Sequence, residues 1–198
     1  MQLQIHGRAA YAYTGGLALD RSKPAVVFIH GALNDHCVWT LMARWCAHHG
    51  HAALALDLPG HGRSAGPALR SVEALADWVL AALDAAGLER AVLVGHSMGS
   101  LIALEAAGRA PGRVSALVMV GTAYPMAVSQ ALIDSARQTP DQAIAMVNSW
   151  SLSSHASKPS YPGPGSWLHG GLQALMHQVM DRSAGLGWQG EPDDQPGG

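Results

Sequence analysis

Between residues 26 and 120, two kinds of apolar pattern take turns along the chain. Val26-Val27-Phe28-Ile29-His30, Ala52 to Leu58, Ala91 to Val94 and Val114 to Val120 are short, nearly continuous apolar runs, the pattern of strands buried on both faces. Between them lie stretches with helical spacing. Residues 35–49 place Val38, Leu41, Met42 and Trp45 on one side and stop at Gly50. From a Ser71 N-cap, Val72, Leu75, Ala76, Val79, Leu80 and Leu83 form one stripe that ends at Gly87. A third helix follows Ser97 and runs to about Arg109, before Pro111-Gly112 turns the chain. Strand and helix in strict alternation predict an α/β fold, a mostly parallel sheet with helices on both faces. In such sheets sites form beyond the carboxyl ends of the strands. Three glycine-bearing segments end there, at 30–34, 57–64 and 95–99.

The flanks read differently. Residues 2–19 predict a hairpin, Leu3 to Ile5 and Arg8 to Thr14, with Gly15-Gly16 as a turn. Beyond Gly121-Thr122-Ala123-Tyr124-Pro125 the alternation stops. Helical pieces are expected at 128–138, 140–150 and 171–181, the last with Leu172, Leu175, Met176 and Val179 on one face. Residues 151–166, rich in Ser, Pro and Gly, read as a loop. From Ser183 onward Gly and Pro recur in a polar context, which predicts a disordered tail over 183–198.

The segment with the most chemical content is Gly95-His96-Ser97-Met98-Gly99. A G-x-S-x-G sequence between a strand and a helix predicts a sharp turn that pushes the serine hydroxyl out at the sheet end. The N-terminus of the following helix would face negative charge forming there. A serine at this position could equally be a plain N-cap, so its neighbours matter. His30-Gly31-Ala32-Leu33 ends the first core strand. A glycine there lets the backbone bend, so that the N–H of Ala32 or Leu33, with that of Met98, could form an oxyanion hole. Gly60-His61-Gly62-Arg63-Ser64-Ala65 fits the permissive G-x-G-x-x-A dinucleotide pattern. Gly66-Pro67 interrupts the helix that this motif requires, and the next strand does not close on an acid.

Composition narrows the classes. The 198 residues carry a net charge of −2 with no basic run, so nucleic acid and anionic membrane are not expected partners. No apolar run reaches the length of a membrane span, and Met1 to His6 lacks a charged n-region and a long apolar core. Cys37 and Cys46 are nine apart in what reads as one helix, which places them on opposite faces and unpaired. Unpaired thiols fit a cytoplasmic setting. Among the eleven histidines, His48, His49 and His51 cluster near His36, but the metal-ligand spacings H-x-x-x-H and C-x-x-C are missing. No metal or cofactor site is expected, and His48 and His49 read as a helix C-terminus.

Taken together, the motifs resemble the α/β-hydrolase superfamily, in the branch with a mobile helical cap. The resemblance covers about residues 22 to 124. It rests on His30-Gly31, on Asp57-x-x-Gly60-x-Gly62-x-Ser64, and on Gly95-His96-Ser97-Met98-Gly99, in that order. It implies a catalytic Ser97, with the N–H groups of Ala32 and Met98 as oxyanion hole and His30, Gly31, Gly95, His96 and Gly99 as motif support. Trp39 also sits where the family often has a tryptophan. The implied organisation is a hydrolase core over 1–124 and a helical cap or lid over 125–182. The implied function is hydrolysis of a carboxylic ester or related acyl bond in a small-molecule substrate.

The chain also departs from the family pattern. There the acid and the histidine follow the serine, from the ends of two further strands. After Val120 no further apolar β-branched run occurs, and Gly121-Thr122-Ala123-Tyr124 offers no carboxylate. The remaining histidines, His155, His169 and His177, and the acids Asp134, Asp141 and Asp181 fall in the helical segment or its loops. The sequence therefore reads as a C-terminally truncated or frame-shifted member, inactive or feeble as it stands. The alternatives are a non-catalytic binding module of the same fold and, behind it, a nucleotide-binding domain. Val114 to Val120 would be a free sheet edge open to self-association. Trp150, Trp167 and Met176 read as core of the helical segment.

Overall fold

The computed structural model describes residues 1–151 and 173–180. Its centre is a six-stranded sheet built from β1 (Gln2–Ile5), β2 (Arg8–Tyr13), β3 (Ala25–Ile29), β4 (Ala52–Leu56), β5 (Ala91–His96) and β6 (Val114–Val120). The spatial order is β1-β2-β4-β3-β5-β6. β1 and β2 form an antiparallel hairpin, β2 joins β4 antiparallel, and β4, β3, β5 and β6 run parallel. The hairpin reverses at His6 and Gly7, both at positive φ (50° and 74°), the backbone that a two-residue turn between twisted strands requires.

The all-apolar β3 follows from its central position. Val27 and Ile29 face a core shared with α2 (Val72–Ala86) and α3 (Met98–Arg109), where Leu75, Val79, Leu83 and Ile102 pack. Val26 and Phe28 face the opposite core with Trp39, Ala43 and Ala47. Helix α2 begins where the sequence predicts. The Ser71 hydroxyl accepts from Ala74 N–H, and Gly87 closes the helix at φ 69°.

Three expectations about the first helix and the last strand need correction. Residues 35–49 do not form one helix: a 3₁₀ turn (His36–Trp39) precedes α1 (Thr40–His48). The large apolar side of α1 does not face the sheet. Leu41 is 81% and Trp45 58% exposed, and Val38 and Met42 are exposed too. Ala43 and Ala47 take the inner face because the chain before β3 passes close above them. A Cβ at Gly15 would lie 2.5 Å from the Ala43 carbonyl oxygen and from Ala47 Cβ. β6, an apolar run expected to be buried, is half open. Val114 and Leu117 pack against the α2–α3 core, while Val118 and Val120 are exposed. Among the described residues only β5 pairs with β6.

After β6 come α4 (Gln130–Gln138), α5 (Pro140–Ser151) and a helix, α6, over 173–180. Ala143, Ile144, Met176 and Val179 are buried there, whereas Trp150 is exposed rather than core. The expected loop 151–166 lies, past its first residue, outside the described residues, as do Trp167 and the tail 183–198. No helix among the described residues is long and apolar enough to cross a membrane.

Candidate active site

A single residue separates β5 from α3. Ser97 has φ 52° and ψ −123°, a left-handed conformation costing a non-glycine residue on the order of 1–3 kcal/mol. Its surroundings hold it there. Ser97 N–H donates to the Val120 carbonyl at 2.9 Å, and the Ser97 carbonyl accepts from Ser100 N–H at 2.8 Å and from the Ser100 hydroxyl. The turn closes only because its flanks lack side chains. A Cβ at Gly95 would lie 2.6 Å from Ser100 Cα, and one at Gly99 would lie 2.6 Å from the His30 carbonyl oxygen. The Ser97 side chain does not cap α3. The N–H groups of the first turn keep their partial positive charge beside the serine.

β3 is the neighbour of β5, with Ile29 opposite Gly95. The chain leaving β3 therefore runs past the serine. A Cβ at Gly31 would sit 3.2 Å from Ser97 Cβ and 3.2 Å from His96 Nδ1. Ala32 follows, and Leu33 turns the chain at φ 58°. Asn34 Nδ2 donates to the Ala32 carbonyl at 2.9 Å, which ties down this loop. Among the described residues neither Ala32 N–H nor Met98 N–H has an acceptor. Ser97, Ala32 and Met98 thus come to one end of adjacent strands.

His30 braces this arrangement from below. Fully buried, it donates from Nδ1 to the Gly31 carbonyl at 2.8 Å and accepts at Nε2 from Leu58 N–H at 3.1 Å. These bonds fix the neutral tautomer and join the ends of β3 and β4. Burial, reinforced by His61 at a ring distance of 5.1 Å, pushes the His30 pKa down to about 4. The unfolded chain therefore takes up this proton first as pH falls, so stability is full above the ordinary histidine value of 6.5 and declines between there and about 4. The expected loss from about pH 7.5 to about pH 5 is about 2 kcal/mol. His61, shifted down mainly by burial, adds in the same direction. Urea unfolding across this range checks it, and a flat profile would contradict the buried neutral imidazole.

The glycine-rich segment after β4 is organised around Asp57. Its Oδ1 accepts from His36 N–H and His36 Nδ1–H, both at 2.8 Å, and its Oδ2 accepts from Arg63 N–H at 2.8 Å. Burial pulls the carboxyl upward, but the His36 and Arg63 hydrogen bonds outweigh it and hold the group below its ordinary value. The Asp57 carbonyl accepts from the Ser64 hydroxyl at 2.6 Å, and Ser64 Oγ accepts from Tyr11 N–H at 3.0 Å. Gly62 turns at φ 52° directly over the carboxylate. No helix opens within this loop; α2 starts at Val72. The loop is a structural clamp rather than a phosphate cradle. Sequence reasoning singled out the segment but missed the His36–Asp57 pair, whose members lie 21 residues apart.

No histidine among the described residues hydrogen-bonds Ser97 Oγ. His96 is half-buried, and burial lowers its pKa. His177 Nδ1 lies 3.5 Å from Asp141 Oδ1, joining α6 to α5. Asp134 is held by Gln130 Nε2 at 2.8 Å within α4. His155, His169 and Asp181 lie outside the described residues. His48 and His49 do end α1, with the His49 ring stacked on Trp45 at 4.1 Å.

Comparison with known proteins bears on the family and the fold. A family model described as alpha/beta hydrolase fold matches residues 24–153. The chain is 38% identical over 104 residues to a dihydrolipoyllysine-residue acetyltransferase component of an acetoin cleaving system from Pseudomonas putida, covering 50% of this chain and 26% of that protein. It is 38% identical over 111 residues to a pimeloyl-[acyl-carrier protein] methyl ester esterase from Methylococcus capsulatus, covering 53% of this chain and 40% of that one. The chain thus matches between about a quarter and two fifths of the length of these relatives. An N-acyl homoserine lactone degrading enzyme superposes with a TM-score of 0.73 at 22% identity, over 93% of this chain and 71% of that structure, a likeness of fold.

Proposed function

Since the chain belongs to the α/β-hydrolase-fold family, we propose that it works on carboxylic esters or related acyl bonds of small molecules, with Ser97 as nucleophile. The observation that carries this reading is the left-handed Ser97 between β5 and α3, with its side chain free of any capping bond. Ser97 Oγ attacks the acyl carbonyl. The carbonyl oxygen gains charge, which the N–H groups of Ala32 and Met98 are positioned to receive, each such donor being worth roughly 3–4 kcal/mol. The C–O bond to the leaving alcohol breaks, and the alcohol departs with the serine proton. Water then cleaves the acyl-serine, releases the acid and restores the hydroxyl. Helices α4, α5 and α6 are assigned to a cap over the substrate. The matching esterase supports the ester class.

Ser97 Oγ has no hydrogen-bond partner among the described residues, and a serine without a base is a weak nucleophile. That favours a second reading, a binding module that holds acyl compounds without turning them over. Among the described residues β6 is a sheet edge with neither charge nor proline, so either reading predicts self-association at high concentration.

A p-nitrophenyl acetate assay separates the two. Acylation at Ser97 that outpaces hydrolysis of the acyl-serine predicts a burst of about one equivalent of nitrophenol per chain, followed by slow turnover, both lost in Ser97→Ala. Binding without release of nitrophenol would favour the second reading. Equal release by Ser97→Ala would overturn the first.

A further inference from the structure

One cluster of donor atoms is used by neither the serine nor its oxyanion loop. In the segment joining Asn34 to α1, a carboxylate oxygen of Asp35, an imidazole nitrogen of His36 and Cys37 Sγ all lie within 4.8 Å of one another. Asp35 and His36 are buried, and Cys37 opens to solvent. We propose that these three side chains form a binding site for one soft divalent cation, of which Zn²⁺ is the fitting example. The proposal stands independently of the hydrolase reading.

The imidazole carries the case. The His36 side chain is 9% exposed, and its Nδ1–H is committed to the Asp57 carboxylate at 2.8 Å. In the neutral ring this leaves Nε2 as a lone pair. Its one polar contact among the described residues is Cys37 Sγ at 3.7 Å, a weak sulfur contact that a metal–nitrogen bond would replace. A carboxylate behind one ring nitrogen, with a thiol beside the other, is the arrangement that orients a metal-binding histidine. Tyr11, edge-on to the ring at 5.0 Å, limits its rotation.

The donor set selects the ion. Sulfur and imidazole nitrogen favour zinc-like ions over magnesium or calcium. One thiolate and one carboxylate balance two positive charges. A tetrahedral zinc ion with bonds of about 2.0–2.3 Å holds its ligands roughly 3.3–3.8 Å apart. Side-chain rotation of the exposed Cys37 and of Asp35, whose Oδ1 caps Cys37 N–H at 2.8 Å, covers the difference. On binding, the Cys37 thiol proton passes to solvent. The fourth position faces solvent through the Cys37 side. The sequence hid this site because three consecutive donors match none of the spaced metal motifs, and because the orienting carboxylate lies 21 residues away.

The test uses the full chain, freed of metal by a chelator and titrated with Co²⁺ and then Zn²⁺. One equivalent of Co²⁺ should give a thiolate-to-metal charge-transfer band that Zn²⁺ displaces. Cys37→Ser should remove the band, and Cys46→Ser should keep it. Asp35→Asn and His36→Gln should each weaken Co²⁺ binding by at least about tenfold, the loss expected even for an outer partner of a ligand. If His36→Gln fails to fold, Cys37→Ser and Asp35→Asn still decide, since Cys37 is exposed and asparagine still caps. A band retained in Cys37→Ser, or no thiolate band in the parent chain, would overturn the proposal.

Discussion

Gly99→Ala is expected to lower the unfolding free energy by at least about 3 kcal/mol and to destroy the Ser97 turn. The added Cβ would lie 2.6 Å from the His30 carbonyl oxygen and closer still to that of Ile29. Both are backbone atoms of the central strand β3 or its immediate end, so neither can rotate aside. The strand would have to move away from α3, opening the core at Ile102 and Ala103 and separating Ala32 from Ser97. Gly108→Ala, in the same helix, supplies the contrast. A Cβ there meets nothing within 4 Å, and replacing an exposed helical glycine by alanine should stabilise the chain by about 0.5–1 kcal/mol. Thermal and urea unfolding of the two variants read the difference directly. Equal stabilities would contradict the close approach of α3 to β3.

Asp57→Ala is expected to cost about 3–5 kcal/mol. It removes the acceptor of the His36 and Arg63 bonds in a fully buried position, leaving their N–H groups unpaired. Asp57→Asn keeps the shape and one acceptor oxygen, but its amide must turn a donor toward either His36 or Arg63. Its cost should be smaller than alanine's and still about 2 kcal/mol. The native carboxyl is held below its ordinary value of 3.8. Its contribution is therefore complete above that pH and is lost as pH falls through the lower folded-state value. Asp57→Asn should lack this acid-limb dependence while keeping the His30 decline at higher pH. An unchanged acid limb would show that the clamp does not depend on the charge.

Much of this architecture is legible along the chain because it is local. The continuous run of β3, the Ser71 and Gly87 caps of α2 and the G-x-S-x-G turn each announce themselves within a dozen residues. The outcomes that sequence could not supply depend on which element lies beside which. Leu41 and Trp45 have helical spacing as convincing as that of the α2 stripe, but the close approach of Gly15 to Ala43 and Ala47 decides which face of α1 turns inward. Val118 and Val120 are as apolar as Val26 and Val27, yet no described strand lies on their far side. His36 and Asp57 carry no mutual signal, because the pairing of β3 with β4 is what brings their loops together. At the candidate site, Ser97, Gly95 and Gly99 are readable from one pentapeptide. The closeness of Gly31 to Ser97 requires knowing that β3 lies between β4 and β5.

On the proposed reading, the Ser97 turn presents a nucleophile beside groups that receive negative charge. Prolonged incubation of the full chain with a fluorophosphonate probe, followed by peptide mass spectrometry, tests it most directly. Covalent labelling confined to Ser97 and absent from Ser97→Ala is the predicted result. No labelling, or labelling that persists in Ser97→Ala, would contradict it.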